Sequence, residues 1–90
     1  MKGTLKEAHE LRVAIYQYRK ALQVVASGEK FDTATAKILA ENGFTVRHEY
    51  FINDEYVKNG ECTGYRIDGR EWEHFFNSRM DFPALWSIIK

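Results

Sequence analysis

Apolar residues recur along positions 8–25 with the spacing of a helix, and they fall on two sides of it. Ala8, Leu11, Ile15, Tyr18, Leu22 and Val25 alternate steps of three and four. That is the a/d rhythm of a helix with one covered face. Val13, Tyr16 and Val24 form a second stripe toward the opposite side. Lys20 interrupts it, with an aliphatic stem able to cover apolar surface. Thr4 and Glu7 fit a capping box, and Gly28 is placed to end the helix in the left-handed conformation. The pattern therefore predicts a helix over residues 5–27. Its length of about 34 Å should carry it across and beyond a domain whose radius of gyration would be about 12 Å. The first stripe is expected to pack on the sheet. The second is expected to be covered by the chain's own aromatic C-terminus or by another molecule.

A second, shorter helix is expected after Phe31-Asp32, with Asp32 as N-cap. Ala34, Ala36, Ile38, Leu39 and Ala40 provide its close-packing face, and Asn42-Gly43 is a stop signal. The period then changes to two. Phe44, Val46, His48, Tyr50 and Ile52 alternate with polar residues, as in a half-buried strand. Phe51 breaks this pattern by putting an aromatic on the polar face.

Asn59-Gly60 predicts a two-residue hairpin turn, because both central residues of that turn need positive φ. Val57 should face Cys62, and Tyr56 should face Thr63. The third strand should run on through Tyr65 and Ile67 to a turn at Asp68-Gly69. Trp72, Phe75 and Phe76 return to helical spacing. Asp81 and Pro83 suggest a last short helix carrying Leu85, Trp86, Ile88 and Ile89. The expected order is α-α-β-β-β-α-α. This is a small single α+β domain over residues 1–90, with a three-stranded antiparallel sheet packed on a long N-terminal helix.

Composition bounds this picture without redirecting it. Ninety residues with 44% hydrophobic and 14% aromatic content suffice for one modest core. The chain has a single cysteine, Cys62, so no internal disulfide can form, which favours a reducing, cytoplasmic setting. No apolar run approaches a membrane span, and no signal peptide is evident. Net charge is zero, with 13 basic and 13 acidic residues, so bulk charge does not argue for nucleic acid. The charge is unevenly placed. Residues 1–47 carry eight Lys/Arg against five Asp/Glu, giving +3, and residues 48–90 carry five against eight, giving −3.

Candidate chemistry is sparse. His9, His48 and His74 have no second ligand at metal spacing, and no metal or cofactor site is expected. No catalytic residue set stands out, so no enzymatic activity is expected. A nucleophilic Cys62 would need a nearby base and a lowered pKa. The expected role is protein binding, as a regulator, adaptor or inhibitor, with homodimerisation through the first helix. Val13, Tyr16, Lys20 and Val24, together with the acidic pair Asp54 and Glu55, are the candidate interface. The alternative is a nucleic-acid module using Arg47, Phe51, Tyr56, Lys58, Tyr65 and Arg66, where aromatics would stack on bases and cations follow the backbone.

Overall fold

The computed structural model describes residues 5–52, 54–67 and 69–89, with side chains of the first helix from residue 8 onward. It is a small α+β arrangement of three helices and five short strands. The order is α1 (Leu5–Ser27), α2 (Thr33–Glu41), β1 (Val46–His48), β2 (Val57–Lys58), β3 (Glu61–Cys62), β4 (Tyr65–Arg66), α3 (Gly69–Asn77) and β5 (Trp86–Ile88). The strands form one antiparallel sheet in the order β4-β3-β2-β1-β5.

Several local readings hold. Asp32 caps α2, its carboxylate accepting from the Thr35 N–H at 2.9 Å. Gly28 follows α1 with φ +76°, and its N–H donates to the Val25 carbonyl. Val57 pairs with Cys62 across the Asn59-Gly60 turn, although only Gly60 of its two central residues takes the positive φ expected of both. The proposed capping box at Thr4 and the turn position at Asp68 lie outside the described residues.

The sheet is larger than expected for two reasons. Past Cys62 the chain reverses again at Thr63-Gly64, where both residues have positive φ (50° and 87°). Tyr65 therefore pairs back on Cys62 as β4 instead of extending β3. The predicted C-terminal helix is instead a strand. Phe82 and Pro83 lead into β5, which pairs with β1 through His48 and Trp86, Arg47 and Ser87, and Val46 and Ile88. So short an apolar run carries too few turns for period 3.6 to be told from period 2.

The first strand is shorter than its alternation suggested. His48 ends it: its ring Nδ1 accepts from the Tyr50 N–H, and the Phe51 N–H donates to the His48 carbonyl. This turn shifts the inward phase by one residue. Phe51 is consequently half-buried and packs edge-on against Trp86 at 5.3 Å, while Tyr50 and Ile52 are exposed.

The core lies between α2, the sheet and α3. Leu39, Val46, Val57, Phe76 and Trp86 are fully buried there, as is Ala36. Trp72 sits on the same α3 face, its ring 5.0 Å from Phe76. Its indole N–H donates to Glu41 at 2.9 Å, and Lys37 bonds Glu73 at 2.8 Å, so two polar links clamp α2 to α3.

The helix packed on the sheet is α2, with α1 layered on α2. This corrects the expected placement of the first helix. Only its C-terminal half joins the core, through buried Ala21 and half-buried Leu22, Val24 and Val25. From residue 8 to residue 17 every position is exposed. The radius of gyration, 14.0 Å, and the 49 Å long axis exceed what a compact chain of this length needs.

Candidate functional site

Two surface features stand out: the outer half of α1 and a cleft beside α3. On α1, both sequence stripes are bare at their N-terminal ends. Leu11 is 63% exposed, Ile15 44%, Tyr16 62% and Val13 39%. The stripe expected to be core is therefore core only from Leu22 onward, with Tyr18 half-buried at the boundary, because α2 is too short to reach farther along α1. The second stripe divides likewise. Val13 and Tyr16 face solvent, while Val24 packs against the chain's own core. The Lys20 ammonium lies 5.5 Å from the Tyr16 ring centroid, a cation–π contact along the helix surface.

The acidic pair is not brought to α1 within the chain. Asp54 is exposed, with φ +71°. Glu55 is half-buried and accepts from the Ile52 N–H at 2.7 Å. Lys30 and Glu49 form an ion pair between the α1–α2 connection and the residue that follows β1.

The residues considered for nucleic acid separate into two groups. Arg47 is tied to the loop, its guanidinium donating to the Phe51 carbonyl at 2.9 Å, and Phe51 itself packs inward. The Tyr56 hydroxyl donates to Glu61. That bond opposes ionisation and raises the Tyr56 pKa, with burial and the Glu61 charge adding to it. Lys58, Tyr65 and Arg66 remain exposed on the outer hairpin.

The histidines have distinct surroundings. His48 is fully buried among Tyr50, Phe82 and Trp86, with ring centroids 4.7–5.2 Å away. Its Nδ1 accepts a backbone N–H, which leaves Nε2 to donate to the Pro83 carbonyl at 2.9 Å. Nε2 thus ties β1 to the segment before β5, while Nδ1 is committed to the turn that ends β1. Neither can serve as a base for Cys62. His74 instead lies on the exposed side of α3.

The cleft beside α3 has a volume of about 670 Å³. Ile67, Cys62 and Phe75 supply its apolar surface, and Arg70, Glu71, His74, Ser78 and Arg79 its polar one. The i, i+4 spacing of Arg70 and His74 puts both along one flank of α3, next to the core face of Trp72 and Phe76, and Ser78, just past its end, continues that line with its N–H on the His74 carbonyl. The Arg79 guanidinium stacks 3.9 Å from the Phe75 ring centroid and is held by the Phe75 carbonyl at 2.9 Å and Ser78 Oγ at 3.1 Å.

Burial pushes the Cys62 thiol above its ordinary pKa; the Thr63 side chain and the Arg79 charge pull the other way, and Glu55 adds to the rise. A protonated thiol is the wrong form for a nucleophile. The cleft thus offers cationic donors over an apolar wall, an arrangement suited to binding. The i, i+4 flank was present in the sequence, but nothing there showed that the outer hairpin would face it.

No group of three or more metal-ligating side chains occurs among the described residues, and no described helix is long and apolar enough to cross a membrane. Comparison with known protein families, curated proteins and solved structures finds no match to this chain.

Proposed function

We propose that this protein works by direct contact with other polypeptide chains, as a regulator or adaptor, and that the outer half of α1 is its contact element. The observation that carries this reading is the exposure of Leu11 and Ile15, neighbours one turn apart on one face of a stretch against which no other described part of the chain packs, with Val13 and Tyr16 exposed on its other side. Monomeric proteins scatter single apolar side chains over their surface, whereas a contiguous group marks an interaction site. Helical turns that extend past their tertiary support are held by their own backbone bonds alone and gain from a cover.

The occupant proposed is a second copy of the same chain. A two-fold axis midway between Leu11 and Ile15 on their shared face, which sets two α1 helices antiparallel, brings Leu11 opposite Ile15 of the other copy. The same axis brings small Ala8 opposite large Tyr18. One apolar stripe therefore complements itself, as an isologous contact requires. The seam is short, about three turns, so the dimer should form reversibly with concentration.

Sedimentation equilibrium over a concentration series tests this. The expected result is a monomer–dimer equilibrium for the native chain and a monomer for the Leu11→Glu/Ile15→Glu variant, with unchanged melting of the body. A native chain that stays monomeric at the highest attainable concentration overturns the second-copy assignment. So does a dimer indifferent to both substitutions.

A further inference from the structure

The cleft beside α3 plays no part in chain-to-chain contact through α1, and its chemistry is specific enough to indicate a ligand class. Its volume of about 670 Å³ falls within the range of small-molecule sites, about 300–1,000 Å³. Its wall combines the Phe75 ring, Ile67 and the protonated Cys62 thiol with two arginines and only one carboxylate, Glu71. Arg70 pairs with no carboxylate among the described residues, and neither does Arg79. The positive charge of the lining is therefore not neutralised from within.

Arg79 is the better organised of the two. Its stack on Phe75 and its Nη1 bonds to Phe75 and Ser78 fix the plane of the guanidinium. Nη2 and Nε have no protein partner among the described residues. A guanidinium fixed in this way loses little further rotamer freedom when it binds an anion, and its fork matches the two oxygens of a carboxylate.

We propose that this cleft binds a small organic acid with a flat apolar body and one carboxylate. The body lies against Phe75 and Ile67, and the carboxylate is held by Arg79 with help from Arg70. His74 and Ser78, on the same flank, supply further polar contacts at the rim. The apolar body distinguishes this ligand from a bare anion, and the carboxylate distinguishes it from a neutral aromatic.

The test is a titration of the full chain followed by two-dimensional amide NMR, with 1-naphthoate as probe. Naphthalene-1-methanol is the neutral comparison and inorganic phosphate the comparison lacking a body. The expected result is saturable shifts for 1-naphthoate at Ile67, Arg70, His74, Phe75 and Arg79. The neutral analogue should bind about tenfold more weakly or worse, and phosphate should not displace the probe. Arg79→Met and Arg70→Gln should each weaken naphthoate by about tenfold. Arg70→Gln alters only an exposed side chain in the first turn of α3, so it keeps the test decisive if Arg79→Met fails to fold. Three outcomes would overturn the assignment: shifts that do not saturate or that map to α1, equal affinity for the neutral analogue, or displacement by phosphate. The Leu11→Glu/Ile15→Glu variant should bind naphthoate as the native chain does, which separates this site from the α1 contact.

Discussion

The indole N–H of Trp86 donates to the hydroxyl of Thr33 at 2.9 Å, joining the first residue of α2 to the first residue of β5 across 53 positions of sequence. The same hydroxyl donates to the Arg79 carbonyl at 2.7 Å. Thr33 and Trp86 are both buried, so this oxygen is the partner of an indole N–H cut off from water. Thr33→Val keeps the shape and removes both bonds. The Arg79 carbonyl keeps its bond from the Phe82 N–H, so the Trp86 indole N–H is the group left orphaned, at a cost of about 2 kcal/mol. Thermal denaturation should show a midpoint lowered by roughly 8–16 °C, with Thr33→Ser recovering most of the loss.

The Asn59-Gly60 turn depends on backbone freedom and not on space. Gly60 has φ +72°, and the nearest atom to an added Cβ would be the Ile67 carbonyl at 3.7 Å, an ordinary contact. Gly60→Ala should cost only the left-handed penalty, about 1–2 kcal/mol, with the cleft and the α1 surface intact. A much larger loss in chemical denaturation would show that the hairpin contributes more to the core than its geometry implies.

Alkaline pH should weaken the fold through Cys62 and Tyr56, both of which have raised pKa values. A group whose pKa is higher in the folded state holds its proton more tightly there. Its contribution is complete below the unfolded pKa and is lost as pH rises through the folded one. For Cys62 the loss begins above about pH 8.5 and for Tyr56 above about pH 10. Denaturant midpoints measured from pH 7 to 11 should fall across these windows, and less steeply at the lower one in Cys62→Ala. Alkylation of Cys62 at pH 8 should be slower than that of a free thiol.

Amide exchange should divide α1 in two. The turn from Ala21 to Val25 joins the core where α1 meets α2 and should be protected close to the global limit. Residues 8–17 have no such support and should exchange by local fraying at low concentration. Protection of this outer stretch should rise with protein concentration if a second copy covers it. Exchange rates independent of concentration would argue against that cover.

Much of the architecture was readable where one residue decides a local conformation. Asp32 capped α2, Gly28 ended α1, and Asn59-Gly60 set the Val57–Cys62 register. The misses came where conformation depended on distant partners. Thr63-Gly64 turns the chain with a β-branched residue at φ 50°, which turn chemistry disfavours and therefore does not announce. The segment from Trp86 became a strand because β1 and Thr33 receive it, and neither is near it in sequence. The α1 stripe was read correctly as apolar and wrongly as covered along its length. Periodicity shows that a face is apolar without showing how far the neighbouring helix extends. The α3 cleft was hidden for a related reason. Its wall joins Cys62 and Ile67 to residues of α3 only once the outer hairpin has folded beside that helix.

Because the supported and bare halves of α1 belong to one unbroken helix, the contact face has a fixed angular phase relative to the body. Each residue advances that phase by about 100° and 1.5 Å. One alanine inserted between Gln17 and Tyr18 would swing Leu11 and Ile15 by more than a quarter turn without touching a side chain of either half. Seven inserted residues would return them close to their original bearing, about 10 Å farther out. The helix acts as a crank whose setting is written in the number of residues between its two ends.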